Sequence, residues 1–395
     1  MMDLAIVGSG PAGSFAALEA VKAGLDVVLI DKKSIRYGPI VCGELLPSKE
    51  LLSKYIPRHL SDLLAYTLDS TLTRDVILNR IRRLNVVIGD ESIGTFPFDS
   101  LVIDKGAMIA HVIDEAENRG ATVMFSATVT NCEAGARQRC VVKGRGGESI
   151  IEARRIMGAD AYPSILSKAA NATNFSPRDL IVATSQRALG KFDEEEAIII
   201  MDPKLAPGGY AWIFPRGDGS LNTGLGVRGD AAWSGGNDLL ELHRRFIERF
   251  NLKPIQRGVL SKTIPVGGLI NASGDAYLVG DAVGSVIPTN GAGINPAMIT
   301  SKLAIDAIRN GSDYYMKLNE AFGPFMRKMT NYRRIADPFL YDHDLMKRLL
   351  KLPRPMLRIA MRDAVMGSTR KSSDLLISIL GPLIQLKNRI KLGDR

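Results

Sequence analysis

Leu4-Ala5-Ile6-Val7-Gly8-Ser9-Gly10-Pro11-Ala12-Gly13 is the stretch from which the rest of the chain is read. Leu4 to Val7 is a short apolar run bounded by glycine, and it reads as a buried parallel strand. Gly8 allows the tight turn out of that strand. Gly10 lets the backbone approach a pyrophosphate, and Gly13 lets the next helix pack close to the sheet. Residues 14–23 form that helix, with its N-terminus toward the phosphates, and Gly24 closes it. Residues 27–30 give a second strand ending at Asp31, 18 residues past Gly13 and near the spacing of a ribose-binding carboxylate. Strand, glycine turn, helix and acid together predict a dinucleotide-binding βαβ unit. An acid at Asp31 argues against a 2′-phosphate, so FAD or NAD fits better than NADP.

Some 270 residues later, residues 276–279 run into Gly280-Asp281-Ala282. An aspartate at a strand end before a glycine-rich loop reads as a second ligand of the same dinucleotide, and a dinucleotide held from both ends points to FAD.

The length of 395 residues predicts two or three domains with ample core. A chain 46% hydrophobic and 24% charged has the composition of a soluble globular protein. No stretch reaches the roughly 18 uninterrupted apolar residues of a membrane span. The first strand begins at once, so no signal peptide is expected. Cys42, Cys132 and Cys140 show no paired metal spacing, which fits a reducing, cytoplasmic compartment. His59, His111, His243 and His343 are scattered, so no metal site is expected. Residues 327–395 hold 16 Lys and Arg against 6 Asp and Glu, leaving the preceding residues nearly neutral. That asymmetry suggests an anionic partner such as lipid, nucleic acid or a phosphorylated substrate; the plainer reading is a solvated helical surface.

The pattern alternates between two kinds of segment. Residues 48–66 look helical, and residues 86–98 suggest strands with Pro97 in a turn. Residues 106–119 form an apolar-periodic helix closed by Gly120, followed by a strand over 122–130 and a hairpin around residues 144–147. Between 175 and 268, strand-like runs at 197–201, 210–214 and 221–227 separated by Gly/Pro turns suggest an antiparallel sheet. The expected fold is α/β: a Rossmann-type FAD-binding domain (1–60, 100–172 and 270–312) interrupted by an antiparallel-sheet substrate domain (61–99 and 173–269). A basic helical C-terminal segment (313–395) completes it.

Four stretches carry a resemblance to the flavoproteins that include para-hydroxybenzoate hydroxylase, and within them to the geranylgeranyl reductases, especially the archaeal enzymes acting on digeranylgeranylglycerophospholipids. They are the glycine loop with Asp31; Tyr37-Gly38-Pro39-Ile40-Val41-Cys42-Gly43-Glu44-Leu45-Leu46-Pro47; Gly209-Tyr210-Ala211-Trp212-Ile213-Phe214-Pro215; and Gly280-Asp281-Ala282 with residues 288–297. Gly158-Ala159-Asp160 with Ser164 resembles a further motif of the group. The resemblance implies that Gly8, Gly10, Ala12, Gly13, Asp31, Lys105 and Val129 hold the dinucleotide. It implies that Cys42, Gly43, Leu45, Gly291, Gly293 and Ile294 border the flavin ring, and that Asp281 binds the ribityl chain. Two positions depart from the family. Ala161 stands where the motif usually has glycine. Lys105 stands where an arginine is usual, which keeps the charge but loses the planar fork.

Cys42 reads either as a thiol that assists proton transfer or as a small residue packed on the ring. Tyr210, Trp212 and Phe214 alternate, so they share one face of a strand. The resemblance makes them walls of an isoprenoid tunnel, and the plainer reading is sheet core. Cys132 and Cys140 read as inert. The apolar run at residues 375–386, beside Lys387, Arg389 and Lys391, is too short to span a bilayer; it reads as a membrane-surface stretch or as a helix packed on the body.

The expected activity is FAD-dependent saturation of geranylgeranyl double bonds, with a proton from Cys42 or an ordered water, on a lipid or diphosphate substrate. The electron donor is open between NAD(P)H and ferredoxin, since no second glycine loop is visible. Peripheral contact with the inner face of an anionic membrane is expected, and no nucleic acid. The alternatives are an aromatic hydroxylase and an electron-transfer flavoprotein reducing a quinone.

Overall fold

The computed structural model describes residues 1–38, 41–133, 138–236 and 238–370. The apolar run 375–386 and its following basic residues lie outside the described residues. In chain order the strands are β1 (Met2–Val7), β2 (Val27–Ile30), β3 (Leu45–Pro47), β4 (Ile77–Ile88), β5 (Glu91–Ile103), β6 (Thr122–Met124), β7 (Thr128–Glu133) and β8 (Gln138–Gly144). They continue with β9 (Gly147–Gly158), β10 (Leu180–Leu189), β11 (Glu196–Met201), β12 (Tyr210–Pro215), β13 (Ser220–Arg228), β14 (Lys253–Pro254), β15 (Leu260–Pro265) and β16 (Ala276–Leu278). The helices are α1 (Pro11–Lys22), α2 (Lys49–Leu52), α3 (Arg58–Asp69), α4 (Lys105–Asn118), α5 (Gly229–Trp233), α6 (Leu239–Arg249), α7 (Ile294–Asn310), α8 (Tyr314–Tyr341), α9 (His343–Leu349) and α10 (Arg354–Met366).

Two sheets organise the chain. The first has the order β6-β2-β1-β9-β8-β7, with β16 added beside β9. β1 lies between β2 and β9, parallel to both. Leu4, Ile6, Leu29 and Ile30 have no exposed surface, as expected for strands covered on both faces. Each such side chain contributes about 1.5–3 kcal/mol of burial. α1 packs between this sheet and α7, and its alanines allow the close approach.

The second sheet has the order β14-β10-β13-β12-β11-β4-β5-β3, with β15 beside β10. It is antiparallel except where β11 runs parallel to β4, so it is mixed rather than wholly antiparallel. β3, at Leu45–Pro47, joins this sheet and not the nucleotide sheet. α8 is clamped to it by buried charges: Arg228 Nη2 lies 2.6 Å from Asp337, and Arg333 Nη2 lies 2.7 Å from Asp179.

Several expectations are corrected. Pro97 is not in a turn: it lies inside β5 opposite Arg83, next to a register shift, where a residue lacking N–H is tolerated. The reversal is at Gly89, with φ of +60°. The single helix over 48–66 is two, because Pro57 starts α3 afresh. The strand over 122–130 breaks at Ser126, whose φ is +54°, so that β6 pairs with β2 and β7 with β8. Cys132 and Cys140 are not free. The β7–β8 register sets them opposite each other with Cα atoms 4.2 Å apart, and they form a disulfide. Metal spacing was the wrong test for a cross-strand pair, and cysteine usage no longer argues for a reducing compartment. Among the described residues no helix is long and apolar enough to cross a membrane, and no metal-ligand cluster occurs.

Candidate active site

At the dinucleotide end the glycines are explained by contact. A Cβ at Gly8 would lie 2.5 Å from Ala159 O, and one at Gly13 would lie 1.7 Å from Gly8 O. A Cβ at Gly10 would meet nothing, because Gly10 borders an open cavity. Asp31 closes the loop from the next strand. Its Oδ2 accepts from Ser9 N at 2.5 Å and Ser9 Oγ at 2.7 Å, and its Oδ1 accepts from Lys33 N at 2.8 Å. Burial lowers the Lys33 ammonium, Asp31 opposes that, and Lys105 and Lys262 add to it. Lys105 and Lys262 line the cavity, and Lys33 lies near enough to feel both. Asp160 is half-buried beside Gly8; desolvation raises its carboxyl, and its buried Oδ1 has no hydrogen-bond partner among the described residues.

These features fit FAD. α1 and α7 both begin without a side-chain cap, and their first residues line the same cavity, so two positive helix ends face it. Asn295, in the first turn of α7, keeps a buried Oδ1 without a hydrogen-bond partner among the described residues. Pyrophosphate and flavin ring carry the complementary anionic and polar groups.

The cavity has a volume of about 340 Å³ and runs from Gly10 and Ala12 past Cys42, Gly43 and Lys105 to Asp281, Gly291, Gly293 and Ile294. It continues over Tyr210, Trp212 and Phe214. Twelve residues named from sequence are thus gathered around one space. Gly8, Gly13 and Asp31 stand behind it. Val129 is buried in β7, and Leu45 is paired with Val102 in β3; neither lines the cavity.

One face of the second sheet forms the floor, and alternation decides what it presents. Trp212 and Phe214 stack with centroids 6.4 Å apart, and Tyr210 meets Trp212 edge-on at 6.4 Å. The Tyr210 hydroxyl donates to Asn290 O at 2.6 Å, tying the floor to the Gly291 loop. Burial pushes that phenol up to about 12, so it stays a neutral donor. Trp212 Nε1 donates to Asn222 Oδ1 at 3.0 Å, and Asn222 Nδ2 donates to Cys42 O at 2.8 Å.

The Cys42–Glu44 strip crosses this floor. Cys42 Sγ accepts from Glu44 N at 3.3 Å. Glu44 has φ of +59° and is 3% exposed. Its Oε2 accepts from Arg187 at 2.5 Å, Arg216 at 2.7 Å and Asn222 at 3.1 Å. This buried carboxylate was quoted in the motif but given no role.

Two further features were not foreseen. Lys262 of β15 lines the cavity and pairs with Asp281. The far wall comes from α8, α9 and α10 through Phe339, Met346, Leu349, Leu357 and Met361. The spacing Leu357, Ala360, Met361, Ala364 was readable as an apolar helix face, but charge dominated the reading of that segment.

A Rossmann-type sheet, a dinucleotide groove with two open helix ends and an apolar chamber beside it define an FAD-dependent oxidoreductase. Residues 2–160 match the pyridine nucleotide-disulphide oxidoreductase family, and residues 180–264 match the geranylgeranyl reductase catalytic domain. The chain is 30% identical to a digeranylgeranylglycerophospholipid reductase of Methanothrix thermoacetophila, over 91% of this chain and 96% of that one. It is 28% identical to its namesake in Methanosarcina acetivorans, covering 84% and 81%. A solved geranylgeranyl bacteriochlorophyll reductase-like protein of Thermoplasma acidophilum superposes with a TM-score of 0.77 at 20% identity, covering 97% of this chain and 99% of that one. The chain belongs to the digeranylgeranylglycerophospholipid reductase family.

Proposed function

We propose that this enzyme saturates the isoprenoid double bonds of digeranylgeranylglycerophospholipids during membrane-lipid synthesis. The observation that carries this reading is the continuity of one cavity between the ring-binding loops and an apolar chamber walled by Tyr210, Trp212, Phe214 and the C-terminal helices. Bound FAD in its reduced form supplies hydride chemistry that no side chain has. The chain's own residues do the rest. The aromatic row lays an alkene against the Cys42 strip, and α9 and α10 exclude water from it. Cys42 Sγ, facing the cavity, holds the proton for the second alkene carbon.

Lys347, Arg348 and Arg358 are exposed on the helices that wall the chamber, and Lys351 is exposed in the turn between α9 and α10. They support peripheral contact with an anionic membrane beside the lipid's point of entry. NAD(P)H and ferredoxin both remain candidate donors.

The test is mass spectrometry of digeranylgeranylglyceryl phosphate and of geranylgeranyl diphosphate after incubation with dithionite-reduced enzyme. Gains in steps of two hydrogens are expected, with the phospholipid preferred. No gain on either, with the flavin still reduced, overturns the reading and directs attention to oxygen or quinone as acceptor.

A further inference from the structure

Leu260, Lys262 and Ile264 share the face of β15 that turns toward the nucleotide domain. Ile264 sits under the ring-binding loop, its Cδ1 3.9 Å from where a Cβ on Gly291 would lie. One step along the strand, Lys262 enters the same cavity, and its Nζ lies 2.8 Å from Asp281 Oδ2. The other oxygen of Asp281 faces the start of α7: a Cβ on Gly293 would lie 3.4 Å from Oδ1. The ammonium therefore pairs with the carboxylate assigned to the ribityl chain, in the same cavity that the ring-binding loop lines. An isolated ammonium in such a space carries a desolvation cost. Asp281 offsets it here, but Asp281 is also the residue assigned to the cofactor. Pairing with Asp281 does not by itself account for a cation placed in the cavity that the ring-binding loops line.

We propose that Lys262 is a catalytic residue of the flavin pocket, a fixed cation that stabilises the negative charge the ring acquires on reduction. Two electrons and one proton taken from the donor leave the ring with one negative charge, and an ammonium in the pocket favours that state over the neutral oxidised one. A charge placed near the ring is one of the levers by which a protein sets a flavin's electronics. Asp281 and Cys42 are the titratable groups whose charges bear on the ammonium, and Lys262 in turn bears on Lys33. None of them removes its charge: Asp281 raises its pKa. The inference rests on FAD binding and not on the identity of the lipid.

The test uses FAD-loaded protein equilibrated with a reference redox dye under dithionite, with no lipid present. At the potential where the wild-type flavin is half reduced, Lys262→Met is expected to lower the ratio of reduced to oxidised flavin at least tenfold, about 30 mV for a two-electron couple. Lys262→Arg keeps the charge and is expected to stay within threefold of wild type. Should the methionine variant lose FAD, Lys262→Gln measured at saturating FAD gives the same readout. A ratio within twofold of wild type in the charge-free variant with FAD bound overturns the proposal and leaves Lys262 a partner of Asp281 alone. Since no lipid enters the measurement, its outcome is independent of the substrate test above.

Discussion

Gly43 lies directly on the ring of Phe214: a Cβ at Gly43 would meet Phe214 Cε2 at 2.8 Å and Cδ2 at 3.3 Å. Phe214 is 6% exposed and stacked on Trp212, so its ring has little room to yield. Gly43→Ala should therefore lift the Cys42 strip off the floor. A displacement of this kind, even well under 1 Å, is expected to lower turnover about tenfold. Adding Phe214→Leu should restore most of the loss, a coupling of about 1–2 kcal/mol in a double-mutant cycle on single-turnover flavin reoxidation. Additive effects would mean that the two residues act separately.

Cys42→Ala separates the two readings of the thiol. If Sγ holds the proton, turnover is expected to fall about 100-fold with FAD content unchanged, within the range usual for a lost general acid. Cys42→Ser should recover part of it, and the solvent isotope effect should change. Wild-type turnover in Cys42→Ala would assign the proton to water and leave Cys42 as packing.

Glu44 joins the strip to the sheet through two guanidiniums and Asn222. Removing it leaves Arg216, 11% exposed, and Arg187, 26% exposed, without their counter-charge. Breaking one side of a buried ion pair usually costs about 3–5 kcal/mol. Arg187 retains some solvent, so Glu44→Ala is expected to lose about 3 kcal/mol in urea denaturation. A loss below about 1 kcal/mol would show that water replaces the carboxylate.

What was legible in the sequence follows from how local each signal is. The Gly8–Gly13 turn and Asp31 lie within one βαβ unit, so contiguous residues carry the whole message. Tyr210, Trp212 and Phe214 were legible because a strand's period of two needs no partner to be seen. Lys262 was not, because Leu260-Ser261-Lys262-Thr263-Ile264 puts a charge on the inward face and so breaks the alternation that identifies a strand. Functional positions are where such rules tend to fail, and the role proposed for Lys262 would make it one. Glu44 was illegible for another reason: its partners Arg187, Arg216 and Asn222 lie more than 140 residues away. The Cys132–Cys140 bridge depends on a β7–β8 register that composition does not reveal.

Ala161 stands where the related motif has glycine, and its φ is +68°. A Cβ in the left-handed region costs about 1–2 kcal/mol, while glycine gives back about 0.4–1 kcal/mol through the unfolded chain. Ala161→Gly should therefore stabilise the protein by about 1 kcal/mol, visible as a higher urea midpoint at unchanged slope. An unchanged or lower midpoint would mean that the methyl's contacts along the cavity wall outweigh the strain.

His243 links α6 to the sheet: its Nδ1 lies 3.0 Å from Thr184 Oγ1, and its Nε2 is buried without a hydrogen-bond partner among the described residues. It is 1% exposed, and burial lowers its pKa to about 4 from the ordinary 6.5. In the folded state the ring stays neutral at pH values where the unfolded chain would protonate it. The unfolded state then binds more protons, so stability falls as the pH drops. The contribution is fully present above about pH 6.5 and lost progressively as the pH approaches 4, a change of about 3 kcal/mol at 1.36 kcal/mol per pKa unit. His243→Gln cannot titrate there. The stability difference, wild type minus variant, is therefore expected to shrink by about 3 kcal/mol between pH 7 and pH 4. Carboxylate effects common to both proteins cancel in that difference. A difference independent of pH would mean that the folded protein protonates His243 as readily as the unfolded chain does.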